Sequence, residues 1–362
     1  MSGEAVRSHP VVGRLPAGAR DTIADVAGVT VGHATLAQGD VQTGITVVRP
    51  HAADPFLHKV PAAAVVINGF GKSAGLMQLN ELGVLETPIA LCTTLSVGAI
   101  VMAQVRATIA AHRGLARTTT TVNPLVLECN DGYLNDVQAL VVGDAHYNAA
   151  LAATTPDFAR GAVGAGRGMS CFGLKGGIGT ASRIADFGTL RFTLGALVLA
   201  NFGRLESLIV AGCPLGVVLG DRLSERARLA AAQRDDGSII VVLATDAPLD
   251  HRQLRRVATR AAAGIGRTGS YYGHGSGDIA LAFTTAATVP HDASPPVRDM
   301  RVLAEIGLES LFEAAAEATE QAIIDALFMA ETVTGFDGHV RYALTDLAPD
   351  WATLLPSSAR IR

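Results

Sequence analysis

Short runs of consecutive apolar residues recur along the chain, at 44–48, 64–67, 208–211, 239–244 and 279–283. Each is bounded by Gly, Pro, Asn or Asp, as strands usually are. Because the apolar positions do not alternate with polar ones, the pattern predicts strands covered on both faces. Between these runs the period becomes helical. Asp250 is a predicted N-cap, followed at helical spacing by Leu254, Val257, Ala258 and Ala261, with Gly264 predicted to end the run. A longer pattern over 308–331 places Leu311, Ala315, Ala318 and Ala322 on one face, and so much alanine predicts close helix packing. The uncharged stretch 87–105 is interrupted by Pro88, Thr93, Thr94, Ser96 and Gln104, which fits a strand and then a helix better than a membrane span. Residues 290–299, with three prolines, read as an exposed loop. No linker or repeat divides the pattern, so the expectation is a single layered α/β domain over 1–362.

Composition narrows the classes. At 49% hydrophobic and 17% charged, the 362-residue chain is not a disordered one. A net charge of -4, with arginines scattered and no aromatic interleaving, gives no basis for a nucleic-acid partner. The first seven residues lack the apolar core of a secretory signal, and Cys92, Cys129, Cys171 and Cys213 form no C-x-x-C pair. A cytoplasmic protein without disulfides or zinc is expected. The histidines form no H-x-x-x-H pair; His33 and His274, each beside glycines, read as solvated loop residues. Gly71-Lys72-Ser73 ends like a phosphate loop, but Val66 stands where its first glycine should be. Gly164-Ala165-Gly166 and Gly177-Ile178-Gly179 start dinucleotide fingerprints that fail at Met169 and Ser182. No cofactor or metal is expected.

The chemistry-bearing segment is Asp235-Asp236-Gly237-Ser238, directly before the run 239–244. Glycine lacks a Cβ, so its carbonyl can be approached closely. A hydroxyl at Ser238 could attack the Gly237 carbonyl and break the chain, leaving Ser238 as a new N-terminus with both a nucleophile and a free amine. A plain turn is the competing reading. A serine nucleophile needs a base and orienting partners, and Ser276-Gly277-Asp278 stands just before the run 279–283. If the two strands are parallel and joined by the helix between them, their starting ends share one edge of a sheet. The lengths agree, since the strand spans ~23 Å and a fifteen-residue helix returns ~22 Å. Ser276 and Asp278 would then orient Ser238 and hold its amine.

Other candidates are less specific. Gly269-Ser270 is a rival cleavage site, but no strand follows to aim its hydroxyl. Asn201 closes the apolar run 195–200, where its amide either donates to an oxyanion or serves the fold. Lys175, inside a glycine loop, reads as a solvated lysine or as a cation supporting negative charge in the site. Glu128, Asp131 and Asp136 form either a solvated acidic turn or the anionic end of a pocket for a substrate ammonium.

These residues lie in runs that resemble the L-aminopeptidase/D-esterase family, which includes the β-peptidyl aminopeptidases. The similar segments span nearly the whole chain: 23–32, 68–72, 130–136, 175–180, 236–238, 244–249, 275–278 and 318–320. The resemblance implies an αββα sandwich of the N-terminal-nucleophile-hydrolase type. It also implies self-cleavage into chains 1–237 and 238–362, which assemble as a homo-oligomer. By position, Ser238 looks like the nucleophile and Gly237 supplies the cleaved carbonyl. Ser276 and Asp278 match the Ser-x-acid pair, Asn201 the oxyanion donor and Glu128 the anchor for the substrate amine. Two positions depart from the pattern: Asp278 stands where β-peptide-cleaving members have glutamate, and Cys129 where threonine is more usual. The function implied is a cofactor-free serine aminopeptidase or amidohydrolase acting on short peptides, amides or esters. The alternatives are an acyltransferase like the ornithine acetyltransferases, against which Ser238 counts because those use threonine, and a binding protein that never cleaves.

Overall fold

Strands apolar at every position need cover on both sides, and four layers supply it. The structure, a computed structural model, describes residues 8–225, 237–292, 296–357 and 359–361. The N-terminal heptapeptide, Asp235, Asp236 and residues 293–295 of the predicted proline-rich loop lie outside the described residues. In chain order the principal elements are β1 (Thr30–Gln38), β2 (Val41–Arg49), β3 (His58–Gly69), β4 (Ile89–Thr93), α1 (Val97–Ala111), β5 (Leu125–Cys129) and α2 (Asp144–Ala152). There follow β6 (Gly177–Phe187), β7 (Leu190–Asn201), β8 (Ser238–Thr245), α3 (His251–Thr259), α4 (Ala261–Arg267), β9 (Gly277–Thr284) and α5 (Leu308–Phe328).

One sheet has the order β1-β2-β4-β5 and the other β6-β7-β8-β9-β3, with short strands Val84–Leu85 and Val289–Pro290 added along β3. Within the larger sheet β8 and β9 are parallel, with Ile239 opposite Asp278, while β7 and β3 flank them antiparallel. The alternation along β8 shows why its run is continuous. Ile239, Val241 and Leu243 pack with Leu254, Val257, Leu311 and Ala315 of the helices, whereas Ile240 and Val242 pack with Leu91 and Leu127 of the other sheet. On the far side of the smaller sheet, Ile45, Val47 and Val126 meet Ile100, Ala103 and Ala150 of α1 and α2. This is the αββα sandwich. By length and composition residues 94–111 could cross a membrane; α1 instead lies on the smaller sheet, joined to β4 as the sequence predicts.

Four local expectations need correction. Residues 208–211 are not a strand: Val210 makes a single bridge to Cys213, and the chain turns through Ala211 and Gly212 at φ of 52° and 76° before Pro214. Gly264 does not end a helix. It lies inside α4, where a Cβ would stand 2.5 Å from the Ala316 carbonyl oxygen of α5, so glycine permits the contact. Asp250 does cap α3, accepting the Gln253 N–H at 2.7 Å. The long helix ends at Phe328 and is not one-sided, being buried at every position from Ala314 to Phe328. Its polar residues bind the N-terminal segment: Glu317 accepts the backbone N–H groups of Arg14 (2.7 Å) and Leu15 (3.0 Å), and Gln321 accepts that of Val12 (2.8 Å). Finally, His33 is not a solvated loop residue. It lies in β1 with ring nitrogens bonded to Thr46 Oγ1 (2.9 Å) and the Ala159 carbonyl (3.0 Å), and burial lowers its pKa to about 4.

The contact between α5 and the larger sheet is backbone-close. A Cβ on Gly179 of β6 would stand 1.9 Å from the Ala322 carbonyl oxygen and 2.6 Å from the Ala326 nitrogen. Gly179→Val is therefore expected to destabilise the protein by about 3 kcal/mol or more, as overpacking against rigid backbone does. The measurement is the urea midpoint at unchanged m-value; a midpoint equal to that of the parent protein would show that helix and sheet can part without cost.

Candidate active site

β8 begins at Ser238, whose Oγ accepts the Gly277 N–H at 3.1 Å. The bond follows from β8 and β9 starting level, and it needs glycine. A Cβ on Gly277 would stand 3.0 Å from Ser238 Oγ and 2.7 Å from the Phe70 carbonyl oxygen. Ser276 donates its hydroxyl to Asp278 Oδ1 at 2.6 Å, while Asp278 Oδ2 is buried with no hydrogen-bond partner among the described residues. Burial pushes the Asp278 carboxyl up to about 6, although the Ser276 hydrogen bond acts the other way.

Asn201, the last residue of β7, pairs directly opposite Ser238. Its Oδ1 accepts the Ser170 N–H at 2.8 Å and its Nδ2 donates to the Asn130 carbonyl at 2.9 Å. A primary amide has two N–H donors, so one remains uncommitted. Asn201 thus braces two loops, and among the described residues it has a second amide N–H without an acceptor.

From the smaller sheet, β5 delivers Glu128 and Cys129 to the same edge. Glu128 is buried; its Oε1 accepts the Lys72 backbone N–H at 3.1 Å and lies 3.6 Å from Lys72 Nζ. A Cβ on Gly71 would be 3.3 Å from that oxygen and 3.9 Å from Gly277 Cα, so a single glycine turn separates Glu128 from the Ser238–Gly277 contact. Cys129 Sγ lies 3.4 Å from the Ser238 carbonyl oxygen, and burial raises its pKa well above the usual value, so the thiol is not ionised.

A solvated acidic turn is ruled out for Glu128 and Asp131. Asp131 is buried, accepts the hydroxyls of Thr43 and Thr93 at 2.6 Å each, and has its carboxyl pushed up to about 6 by burial. Asp136 is a local cap, accepting the Gln138 N–H at 3.0 Å. Lys175 also departs from expectation, being neither solvated nor free on a flexible loop. Its ammonium is buried and donates to the carbonyls of Met169 (2.8 Å), Gly166 (2.9 Å) and Gly176 (2.9 Å), which spends all three donors on the loop. Ser270, the rival cleavage residue, is half-buried in a loop and accepts the Tyr272 N–H at 3.3 Å. His274 is exposed, as expected.

The structure brings Asn201 and Glu128 to the edge of Ser238 and Asp278; sequence reasoning placed Ser238, Ser276 and Asp278 there by spacing and pointed to Gly237, Asn201 and Glu128 through the family resemblance. It gave no role to Asn68, Lys72 and Asn130. Asn68 Nδ2 donates to the carbonyls of Ser276 and Gly273 (3.1 Å), tying β3 to the loop before β9. All three lie in segments that carry the family resemblance, which was the available signal. Among the described residues no three His, Cys, Asp or Glu side chains converge on a metal-sized site.

The chain is 39% identical over 340 residues to beta-peptidyl aminopeptidase BapA of Sphingosinicella microcystinivorans, covering 89% of this chain and 85% of that one. Its fold matches the PH0078 protein of Pyrococcus horikoshii OT3 with a TM-score of 0.87 at 45% identity, over 95% of both chains. It also matches the L-aminopeptidase D-Ala-esterase/amidase of Ochrobactrum anthropi, described as a prototype of the serine aminopeptidases and a variant of the Ntn hydrolase fold. There the TM-score is 0.86 at 32% identity, over 96% of this chain and 98% of that one. With the Peptidase family S58 model matching residues 21–341 as well, the chain belongs to peptidase family S58 and is a hydrolase of the aminopeptidase type.

Proposed function

We propose that this aminopeptidase cuts its own chain between Gly237 and Ser238 and then uses Ser238 as an N-terminal nucleophile on short peptides, amides or esters with a free amine. The observation that carries the reading is the convergence at the start of β8: Ser238 Oγ on the Gly277 N–H, the Ser276–Asp278 pair beside it, and Asn201 opposite. In self-cleavage Oγ attacks the Gly237 carbonyl, the acyl group moves from nitrogen to oxygen, and water hydrolyses the ester. In turnover Oγ attacks the scissile carbonyl and its proton passes to the Ser238 α-amine. That group titrates near 7.7–8.0 when unperturbed and so is a usable base. The leaving amine takes the proton back and water releases the acyl group. Asn201 Nδ2 donates to the oxyanion, Glu128 holds the substrate ammonium, and Asp278, opposite Ile239 in the β8–β9 register, takes the nascent amine of Ser238 as its counter-charge. The product is an oligomer of αβ units; Leu95, Met102 and Ile109, each 45–49% exposed on and just before α1, offer an apolar face for it.

Intact-mass spectrometry on fresh protein should show pieces of 237 and 125 residues, the second beginning Ser-Ile-Ile-Val, and Ser238→Ala should stay whole and inactive. An active preparation containing only full-length chain would overturn the reading. Asn201→Ala should lower kcat about 10²–10³-fold, the usual cost of losing an oxyanion donor, with KM changing far less; an unchanged kcat removes that role. The pH profile follows from two groups that must both lose a proton. Asp278 must be ionised to accept the Ser276 hydroxyl, and the amine must be neutral to take the Oγ proton. Log kcat/KM should therefore climb with double slope below the Asp278 pKa, which the new amine draws below the value of about 6 that it has in the intact chain, and with single slope from there to the amine pKa. Asp278→Asn should abolish the steeper segment.

A further inference from the structure

Beside the nucleophile lies a cleft of about 390 Å³ that reaches Ser276 and is walled by Phe70, Phe202, Tyr271, Arg204 and His274. Its volume is in the range of small-ligand pockets. No carboxylate lines it. Arg204 is exposed, and its guanidinium makes no hydrogen bond or ion pair among the described residues. Such a cation, set among aromatic walls, lacks the anion that its planar fork of donors matches.

The position of the cleft decides which part of a substrate meets it. Glu128 approaches Ser238 from the smaller sheet, through the turn at Gly71. The cleft approaches from the loops that follow β7 and α4, and it reaches the Ser238 site at Ser276 and Phe70. With the amine of the substrate on Glu128 and its carbonyl at Ser238, the part beyond the scissile bond extends towards Phe202 and Arg204. We infer that Arg204 is a specificity-determining residue, and that the enzyme prefers substrates whose leaving portion carries a carboxylate. The inference rests on the site reading proposed above. The shared chemistry is a carboxylate one residue beyond the scissile bond, supplied either by the C-terminus of a dipeptide or by an acidic side chain.

Three dipeptides separate these sources. Each carries the acyl residue that gives the fastest p-nitroanilide turnover, followed by glutaminamide (neutral), glutamine (C-terminal carboxylate) or isoglutamine (side-chain carboxylate). At least one anionic dipeptide should exceed the neutral one in kcat/KM by about tenfold, ~1.4 kcal/mol, mainly through KM. The preference should shrink in high salt because an accessible ion pair is screened. Arg204→Ala should reduce the anionic-to-neutral ratio to near one, Arg204→Lys should retain most of it, and Arg204→Glu should invert it. A parent enzyme indifferent to both carboxylates, or a ratio unchanged in Arg204→Ala, overturns the inference. The site reading fails separately, through activity surviving in Ser238→Ala, whereas indifference to charge in an enzyme that requires Ser238 refutes the role of Arg204 alone.

Discussion

Parallel strands β8 and β9 start level, Ile239 beside Asp278, and the hydroxyl of Ser238 is fixed by the N–H of the glycine at that level edge. The edge holds only while neither strand slips. Every residue of both is buried, and a slip of one position would carry the set facing the helices over to the face between the sheets. The helix layer grips one face at backbone distance through Gly179, and the smaller sheet closes the other. Side chains at the end of such strands are held more tightly than side chains on loops. Placing Asn201 on the adjacent antiparallel strand extends the same rigidity to the oxyanion side.

How much was legible in the sequence depends on how local the cause was. Strands β8 and β9 announced themselves because continuous apolar runs between glycines have few other uses, and the length of the connection agreed with the parallel pairing that the structure shows. Residues 208–211 have the same composition but only a hairpin-sized space, because positive φ at Ala211 and Gly212 turns the chain at once. The polar positions of α5 look like a solvent face in sequence. They are buried because the main chain of residues 12–15, some three hundred residues away, supplies their donors. No helical period records such a partner.

The same limit applies to charge. Lys175 sits on three carbonyls of its own loop, and Asp131 between two threonines from separate strands. Taking such groups out of water costs several kcal/mol apiece unless hydrogen bonds offset it, and the hydrogen bonds here come from backbone and hydroxyls rather than from opposite charges. Composition cannot distinguish a lysine of this kind from a solvated one. What it could show was the unusual density of glycine around Lys175, the feature that lets carbonyls close on an ammonium.

Asp278 differs from these buried charges in being left half-satisfied. Its Oδ1 has the Ser276 hydroxyl, while Oδ2 is buried without a hydrogen bond of good geometry among the described residues, which in a finished structural network would be a defect. In the intact chain the neighbouring Ser238 nitrogen is an amide and cannot carry charge. Cleavage as proposed would turn it into an amine that can be protonated, next to a carboxylate already raised to about 6 by burial. The cut would then supply the counter-charge that Asp278 lacks, lower the carboxyl again and hold the amine where the Oγ proton must go. On this reading the intact chain stores electrostatic strain at one bond, and breaking that bond relieves it while assembling the base.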